Sequence, residues 1–480
     1  MRRLLAVGVG ALAIGAGGAT MVVSQTPRGE TFRMLELFGD VLSIVEQAYV
    51  VPTDNQKLIE AALDGMMTAL DPHSNYLAPS DFDDLQERTE GQYSGVGLTI
   101  TSEGGLIKVI SPMDGGPAAR AGVQAGDVIS SIEGQSTSGM NVSDVSDRLK
   151  GAVGTDVKVT FLRDGEEPRE VTLTREIIRI EAVTARMEGE FGYLRVATFN
   201  ENTGRELREG IERLKRENPN IQGYVLDLRN NGGGLLTAAI EVSDAFLERG
   251  EIVSQRGRRP DQIEPYFAQA GDLAEGLPLV VLINYGSASA SEIVAGALKD
   301  HERATIVGLT SFGKGSVQTV IPLRGGRDGA LSITTARYYT PSGRSIQKIG
   351  IEPDLEVARS AAEARIVSRS NFIYSEAAYA TALDASIGAE RQGPHTPFEA
   401  PGEEYDTDAD YQLQRALDVL RARGDLTQLA AAPEGVITTP PGTEMAEATT
   451  APRVVVTPTE AEDAPRMGPE ITPDNVPDAD

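Results

Sequence analysis

From about Ile180 to Val307 short apolar runs alternate with longer amphipathic ones, and this alternation constrains the fold more than any other feature of the chain. Tyr193–Phe199, Gly223–Leu228, Leu279–Ile283 and Thr305–Val307 read as strands, while Gly204–Glu217, Leu235–Leu247 and Ser291–Lys299 read as helices. Parallel strands need a crossover connection and helices supply it, so the pattern predicts a mostly parallel sheet covered by helices. In such sheets ligands and chemistry gather at the carboxyl ends of the strands, where loops lead into helices.

On either side the pattern changes. Between Phe32 and Glu87 apolar residues recur at three/four spacing (Met34, Leu35, Phe38, Val41, Leu42, Val45, then Leu58, Ala62, Met66, Leu70), which predicts two amphipathic helices. This pair cannot close a core alone and is expected to pack on the next domain or on a second subunit. From Gln92 to about Leu173 the period shortens to two (Val96, Leu98, Ile100; Val157, Val159, Phe161), with helical pieces at Gly116–Ala121 and Val142–Gly151. That is a small β-rich module. At the N-terminus Arg2 and Arg3 precede a run from Leu4 to Pro27 without a charge, apolar first and then small, the pattern of a secretory signal. The run is also long enough for an uncleaved membrane anchor, which takes roughly 20 residues. The expected division is 1–27 signal peptide or anchor, 28–90 helical segment, 91–178 β-rich module, 179–357 α/β core, 358–431 helical extension and 432–480 tail. Ala377–Ile387 and Tyr411–Arg421 are the helical candidates of the extension.

Composition narrows the chemistry. The formal charge of −27 argues against nucleic-acid binding, which needs a basic face. Part of that excess sits in residues 432–480, which hold ten acidic and two basic residues, nine prolines and no aromatic, and so read as a disordered tail. There is no cysteine, which removes disulfides, thiolate metal sites and cysteine nucleophiles. Only His73, His301 and His395 are present, so no metal and no cofactor is expected, and acid–base work falls to another side chain.

Two loops stand at strand carboxyl ends. Asp227-Leu228-Arg229-Asn230-Asn231-Gly232-Gly233-Gly234 has three glycines that let its backbone approach a ligand and present amides at a helix start. Gly286-Ser287-Ala288-Ser289-Ala290-Ser291-Glu292 leaves a side chain uncrowded, and one of its serines could be a nucleophile whose oxyanion is held by helix N-terminal amides. The same Ser289-to-Glu292 spacing also fits an ordinary capping box. A serine needs a base. His301, beside Asp300, stands at the far end of the following helix, whereas Lys314 follows the next strand and can reach Ser289 if the two strands are neighbours. A lysine base must be neutral, and lowering its pKa from about 10.4 to 7–8 costs on the order of 4 kcal/mol, which burial can supply. Gly308–Lys314 also fits the first seven positions of a nucleotide-binding P-loop, but Gly315 replaces the hydroxyl that would hold magnesium.

The run Asn284–Ile293 followed by Phe312-Gly313-Lys314-Gly315-Ser316-Val317-Gln318, the Asp227–Gly234 loop and Tyr338–Gln347 with Gly350-Ile351 and Pro353-Asp354 together resemble the carboxyl-terminal processing (tail-specific) protease family. The likeness runs from about Phe32 to Asp354. It implies a crotonase/Clp-protease-like α/β core and a serine–lysine dyad: Ser289 attacks, Lys314 is general base and Gln318 orients the lysine. Ala290 N–H with Gly233 N–H, or Gly232 in its place, would form the oxyanion hole, and Ser287 and Ser291 would be structural. The β-rich module resembles a PDZ domain, with Gly95, Val96, Gly97 and Leu98 as its carboxylate-binding loop. The reading is an exported serine endopeptidase, periplasmic or envelope-bound, that captures protein C-termini and cleaves near them through an acyl-enzyme. Its partners are proteins or peptides with free C-termini, further copies of the chain (a dimer or higher oligomer) and an envelope adaptor protein. The alternatives are a catalytically silent PDZ scaffold and a hydrolase built on His301 and Asp300.

Overall fold

A computed structural model describes residues 28–113, 115–163, 165–369, 375–385, 398–402 and 409–429. The signal or anchor expected over 1–27 and the tail expected over 432–480 lie outside the described residues. Among the described residues no helix is long and apolar enough to cross a membrane.

The alternation beyond Ile180 folds into a seven-stranded sheet. In spatial order its strands are Val183–Glu188, Phe191–Val196, Tyr224–Asp227, Leu279–Ile283, Thr305–Gly308, Leu355–Val357 and Phe398–Glu399. Only the first pair is antiparallel; the others run parallel, and Leu279–Ile283 lies directly beside Thr305–Gly308. Leu279–Ile283 is buried on both faces, as a covered parallel strand must be. Leu279, Val281 and Ile283 pack toward the helices Thr203–Glu217, Leu236–Asp244 and Ala290–Asp300, while Val280 and Leu282 meet Tyr411, Leu413 and Leu420 of the helix Tyr411–Arg421. Each such side chain contributes roughly 1.5–3 kcal/mol of burial. Thr203–Glu217 is helical because Leu207, Ile211 and Leu214 form one buried stripe on an otherwise charged segment, and Pro219 stops it.

A second sheet does not follow from the strand–helix pattern. It is antiparallel, joining Asn75–Leu77, Ala330–Tyr339, Gly250–Gly257 and Ile263–Ala268, with Ser316–Pro322 hairpinned onto Ala330–Tyr339. Its strands are half-exposed and polar, so their apolar alternation is weak.

The β-rich module is a third unit, with strands Leu98–Glu103, Leu106–Pro112, Val128–Ile132, Asp156–Leu162 and Arg169–Thr174 paired in that order. Val96, Ile107, Val109, Val145, Leu149, Val157 and Val159 lie in its own core. The chain enters along Gln92–Gly95 and leaves along Glu176–Arg179, and these two segments pair antiparallel as a two-stranded stalk. The module is thus inserted between the N-terminal helices and the α/β core.

The helices Arg28–Ala48 and Asn55–Thr68 form where the periodicity placed them, followed by Pro79–Glu90. The apolar stripe of Arg28–Ala48 is uncovered, with Phe32, Leu35 and Ile44 59–65% exposed. In the extension Tyr411–Arg421 is helical. Ala377–Ile387 is not: its described part is a short 3-10 turn, Glu376–Ala378, followed by irregular chain to residue 385, where the glutamate is buried and bonded instead of facing solvent on a helix.

Candidate functional site

The two loops singled out in the sequence meet at the carboxyl end of the sheet. Asn284 starts the lacing: its Oδ1 accepts from Gly286 N (3.0 Å) and Asn230 N (2.9 Å), and its Nδ2 donates to Asn230 Oδ1 (2.9 Å). Ala288 N donates to Asn231 O at 3.0 Å. Ser287 gives its hydroxyl to Leu228 O and Ser291 gives its hydroxyl to Asn231 O, each at 2.8 Å and fully buried. These two serines are committed to the backbone. Ser289 lies between them at φ 55°, ψ −110°, a conformation that an L-residue holds only at a cost of roughly 1–3 kcal/mol, immediately before the helix Ala290–Asp300.

Glycine at 233 is required by geometry. Its φ is +102°, and a Cβ there would stand 2.8 Å from Ala288 O, 2.9 Å from Ser289 Cβ and 3.1 Å from Ala290 N. The glycine loop therefore lies flat against the nucleophile candidate. Ala290 N–H opens the helix and has no intrahelical acceptor. Gly233 N–H donates to Asn231 Oδ1 at 2.9 Å, so as an oxyanion donor it has to share that bond or leave it. The loop is braced from behind by Arg229, which donates to Asp227 (2.6 Å) and to Asp410 (2.7 Å) at the N-cap of Tyr411–Arg421.

Lys314 follows the neighbouring parallel strand. Burial lowers its pKa from the usual lysine value, against the pull of Glu376, Glu292 and Asp71. Its ammonium makes no hydrogen bond to the described residues. The segment that carries it does not enter a helix but the strand Ser316–Pro322, so it lacks the helix start on which a P-loop cradles phosphate. Gln318 donates through Nε2 to Ser316 Oγ and Thr334 Oγ1, both at 3.0 Å, leaving Oε1 without a partner among the described residues. Glu292, fully buried, accepts from Ser289 N (2.8 Å), Lys314 N (2.9 Å), Gly313 N (2.7 Å) and Ser311 Oγ (2.5 Å). Burial pushes its pKa up to about 7 in spite of those bonds.

Five polar residues that sequence reasoning did not select form hydrogen-bonded groups on the lysine side, of which Asp71 and Glu376 act on Lys314 electrostatically. Asp71 accepts from Ser74 Oγ (2.7 Å) and from the N–H groups of His73 and Ser74 (both 2.9 Å). Burial works to raise its pKa, and these bonds bring it below the usual carboxylate value. Buried Glu376 is bonded to His73 Nε2 (2.7 Å) and accepts from Gln347 Nε2 (2.9 Å), and Gln347 Oε1 accepts from Gly315 N at 3.0 Å. The Asp71-Pro72-His73-Ser74 cluster that ends the helical pattern was a readable signal, and Gln347 lies in a quoted motif. Nothing in the sequence marks Glu376.

His301 is remote. It caps the far end of Ala290–Asp300, a helix about 16 Å long at 1.5 Å per residue, and its Nε2 bonds to Glu251 O at 2.7 Å. Asp300 accepts from Ser342 N at 2.9 Å. Both are occupied structurally, and the histidine-hydrolase alternative lacks a geometry. Among the described residues no cluster of three or more His, Asp and Glu is arranged to hold a metal ion.

The β-rich module carries a groove of about 150 Å³ lined by Gly95, Val96, Gly97, Leu98 and Leu149. Gly97 adopts φ +71°, and Val96 O and Gly97 O are held by Ala118 N and Met113 N. Lys150, at the groove's end, is paired with Asp84 and Glu87 (2.7 Å) of the helix Pro79–Glu90.

Comparison with known proteins gives the family. The model of peptidase family S41 matches residues 190–357 and a PDZ-domain model matches residues 108–163. A carboxy-terminal-processing protease of Bartonella bacilliformis is 50% identical over 342 residues, 70% of this chain and 78% of the relative. A chloroplastic C-terminal processing peptidase of Tetradesmus obliquus is 38% identical over 329 residues (64% and 69%). A carboxyl-terminal-processing protease of Synechocystis is 37% identical over 344 residues (69% and 78%).

Proposed function

The chain belongs to peptidase family S41, a PDZ-containing serine peptidase of the carboxy-terminal-processing kind, and from that premise we propose how its residues divide the work. Ser289 Oγ attacks the scissile carbonyl carbon while its proton passes to Lys314 Nζ. The oxyanion is held by Ala290 N–H and by one amide of the Gly232–Gly233 turn. Collapse of the tetrahedral intermediate breaks the C–N bond, with the proton moving from Lys314 to the leaving amine, and leaves an acyl-Ser289. Water, deprotonated by Lys314, then adds to the ester carbonyl, the acyl C–Oγ bond breaks, and the proton returns from Lys314 to Ser289 Oγ as the acid leaves. Gln318 orients Lys314 through its free Oε1.

The observation that carries this reading is a difference among three serines. Ser287 and Ser291 spend their hydroxyls on backbone carbonyls, whereas Ser289 is strained at a helix start against Gly233, in the loop after a strand directly beside the one that leads to a desolvated lysine. Desolvation favours neutral Lys314, the form that accepts a proton.

The PDZ groove takes an apolar C-terminus, Gly95–Leu98 presenting amides to the carboxylate, and the core cleaves upstream of that end. Export, with a role in processing and turnover of envelope proteins, is supported by the charge-free run after Arg2 and Arg3. A homo-oligomer is supported by the uncovered stripe of Arg28–Ala48, which a second copy would bury. An envelope adaptor protein is a further proposed partner. The test is substrate trapping in cell-envelope extract with the Ser289→Ala protein. Recovery of proteins with accessible C-termini supports the reading, and recovery of none contradicts the processing role.

A further inference from the structure

Glu292 began as the third residue of a helix cap, and a cap explains only one of its bonds. A capping glutamate accepts from the N-cap N–H, and Ser289 N–H supplies that at 2.8 Å. The other three donors come from the lysine loop, 19 to 22 residues further on: Ser311 Oγ, Gly313 N and Lys314 N. The carboxylate is wholly buried, an expensive place for a charge unless every lone pair it offers is used.

We propose that Glu292 is the positioning residue that sets the register between nucleophile and base. One atom, Oε2, accepts from the backbone nitrogens of both Ser289 (2.8 Å) and Lys314 (2.9 Å), so these nitrogens are no farther apart than the two bonds laid end to end. Oε1 fixes the turn that precedes the lysine through Gly313 N at 2.7 Å and Ser311 Oγ. Ser311 Oγ in turn accepts from Ile351 N at 2.7 Å, which carries the clamp into the Gly350-Ile351 segment. The loops bearing Ser289 and Lys314 follow different strands and touch directly through Phe312 N–H donating to Ser287 O at 3.0 Å; the carboxylate adds the tie at Ser289 and Lys314 themselves.

The chemistry requires a carboxyl group. The Oε2 side faces two N–H groups that cannot reverse, so that oxygen must accept. On the Oε1 side only Ser311 can rotate, so a proton on Glu292 resides on Oε1 and the Ser311 hydroxyl turns to meet it. Glutamine has one accepting oxygen. Whichever way its amide lies, its NH₂ confronts at least one fixed N–H, that of Gly313 on the Oε1 side or those of Ser289 and Lys314 on the Oε2 side, and the lysine loop is pushed away.

This inference rests on the Ser289–Lys314 reading, and the experiment separates the two. Glu292→Gln and Ser289→Ala are compared with the wild type in steady-state peptide cleavage, with binding of a C-terminal peptide to the PDZ groove as the check of folding. The rate at which a small fluorophosphonate modifies Ser289 is also measured, because that reaction needs neither groove nor substrate. Displacing reacting groups by about 1 Å costs on the order of a hundredfold. Glu292→Gln is therefore expected to lower kcat and fluorophosphonate reactivity about a hundredfold, with KM and peptide affinity unchanged. A kcat within threefold of wild type, or a loss appearing only in KM, overturns the inference while leaving the dyad intact. Full cleavage by Ser289→Ala overturns the dyad itself, and this inference with it. Should Glu292→Gln fail to fold, Ser311→Ala removes one donor and leaves both backbones whole. A fall of threefold or more in its kcat at constant KM supports the clamp, and a smaller change overturns it.

Discussion

Replacing Gly233 by alanine is the sharpest perturbation of the oxyanion loop. The new Cβ meets Ala288 O at 2.8 Å, Ser289 Cβ at 2.9 Å and Ala290 N at 3.1 Å, all on the nucleophile loop. None is the end of a flexible side chain, so backbone must move. The residue also has φ +102°, which costs an L-residue roughly 1–3 kcal/mol. Relief comes by backing the glycine loop away from Ser289, and a displacement approaching 1 Å costs about a hundredfold in rate, or about 2.7 kcal/mol of barrier. Gly232→Ala is the control, since nothing stands within 4 Å of a Cβ there. Steady-state cleavage of a fluorogenic peptide should show kcat down about a hundredfold for Gly233→Ala and near wild type for Gly232→Ala, with PDZ peptide binding intact in both. A Gly233→Ala kcat within threefold of wild type, or equal damage from both alanines, refutes the close-packed loop.

Further outcomes are expected. Ser291→Ala loses one buried hydrogen bond, about 1–3 kcal/mol of stability in a denaturation midpoint, and Ser287→Ala loses two, to Leu228 O and from Asn284 N, and should be the less stable, yet both retain measurable cleavage. Amidating the C-terminus of a groove-binding peptide removes charge-assisted bonds worth about 1.5–3 kcal/mol, so calorimetry should show affinity falling tenfold or more. The Glu292 pKa is raised from 4.5 to about 7, so its stabilising contribution is complete below pH 4.5 and is lost as pH rises through 7. The stability advantage of wild type over Glu292→Gln in denaturant titrations should accordingly shrink from pH 5 to pH 8, by at most about 3 kcal/mol. His301→Ala should retain activity, because its imidazole bonds to Glu251 O at the far end of the helix.

The parallel sheet was legible because its strands are buried on both faces and separated by amphipathic helices, which makes the period change sharp around Leu279–Ile283. The antiparallel sheet was not. Strands such as Ser316–Pro322 are half-exposed, and their pairing with Ala330–Tyr339 is a long-range event without local signature. For the site, the residues marked two loops at strand ends and left open which serine attacks; the pairing of Ser289 with Lys314 and the role of the glycine amide came with the resemblance. Glu292 was read only as a cap, since the same spacing satisfies both roles and its three other donors come from a loop distant in sequence. Glu376 could not have been found: a lone glutamate in a segment without pattern becomes meaningful only when folding brings it to His73 and Gln347.

The central claim is that Ser289 attacks and Lys314 removes its proton. Cleavage of an unfolded protein with a free, apolar C-terminus, followed by mass spectrometry for wild type, Ser289→Ala, Lys314→Ala and Ser287→Ala side by side, tests it most directly. The account predicts products from wild type and Ser287→Ala and none from Ser289→Ala or Lys314→Ala, with all four proteins binding the substrate's C-terminus. Full cleavage by either Ser289→Ala or Lys314→Ala would contradict it.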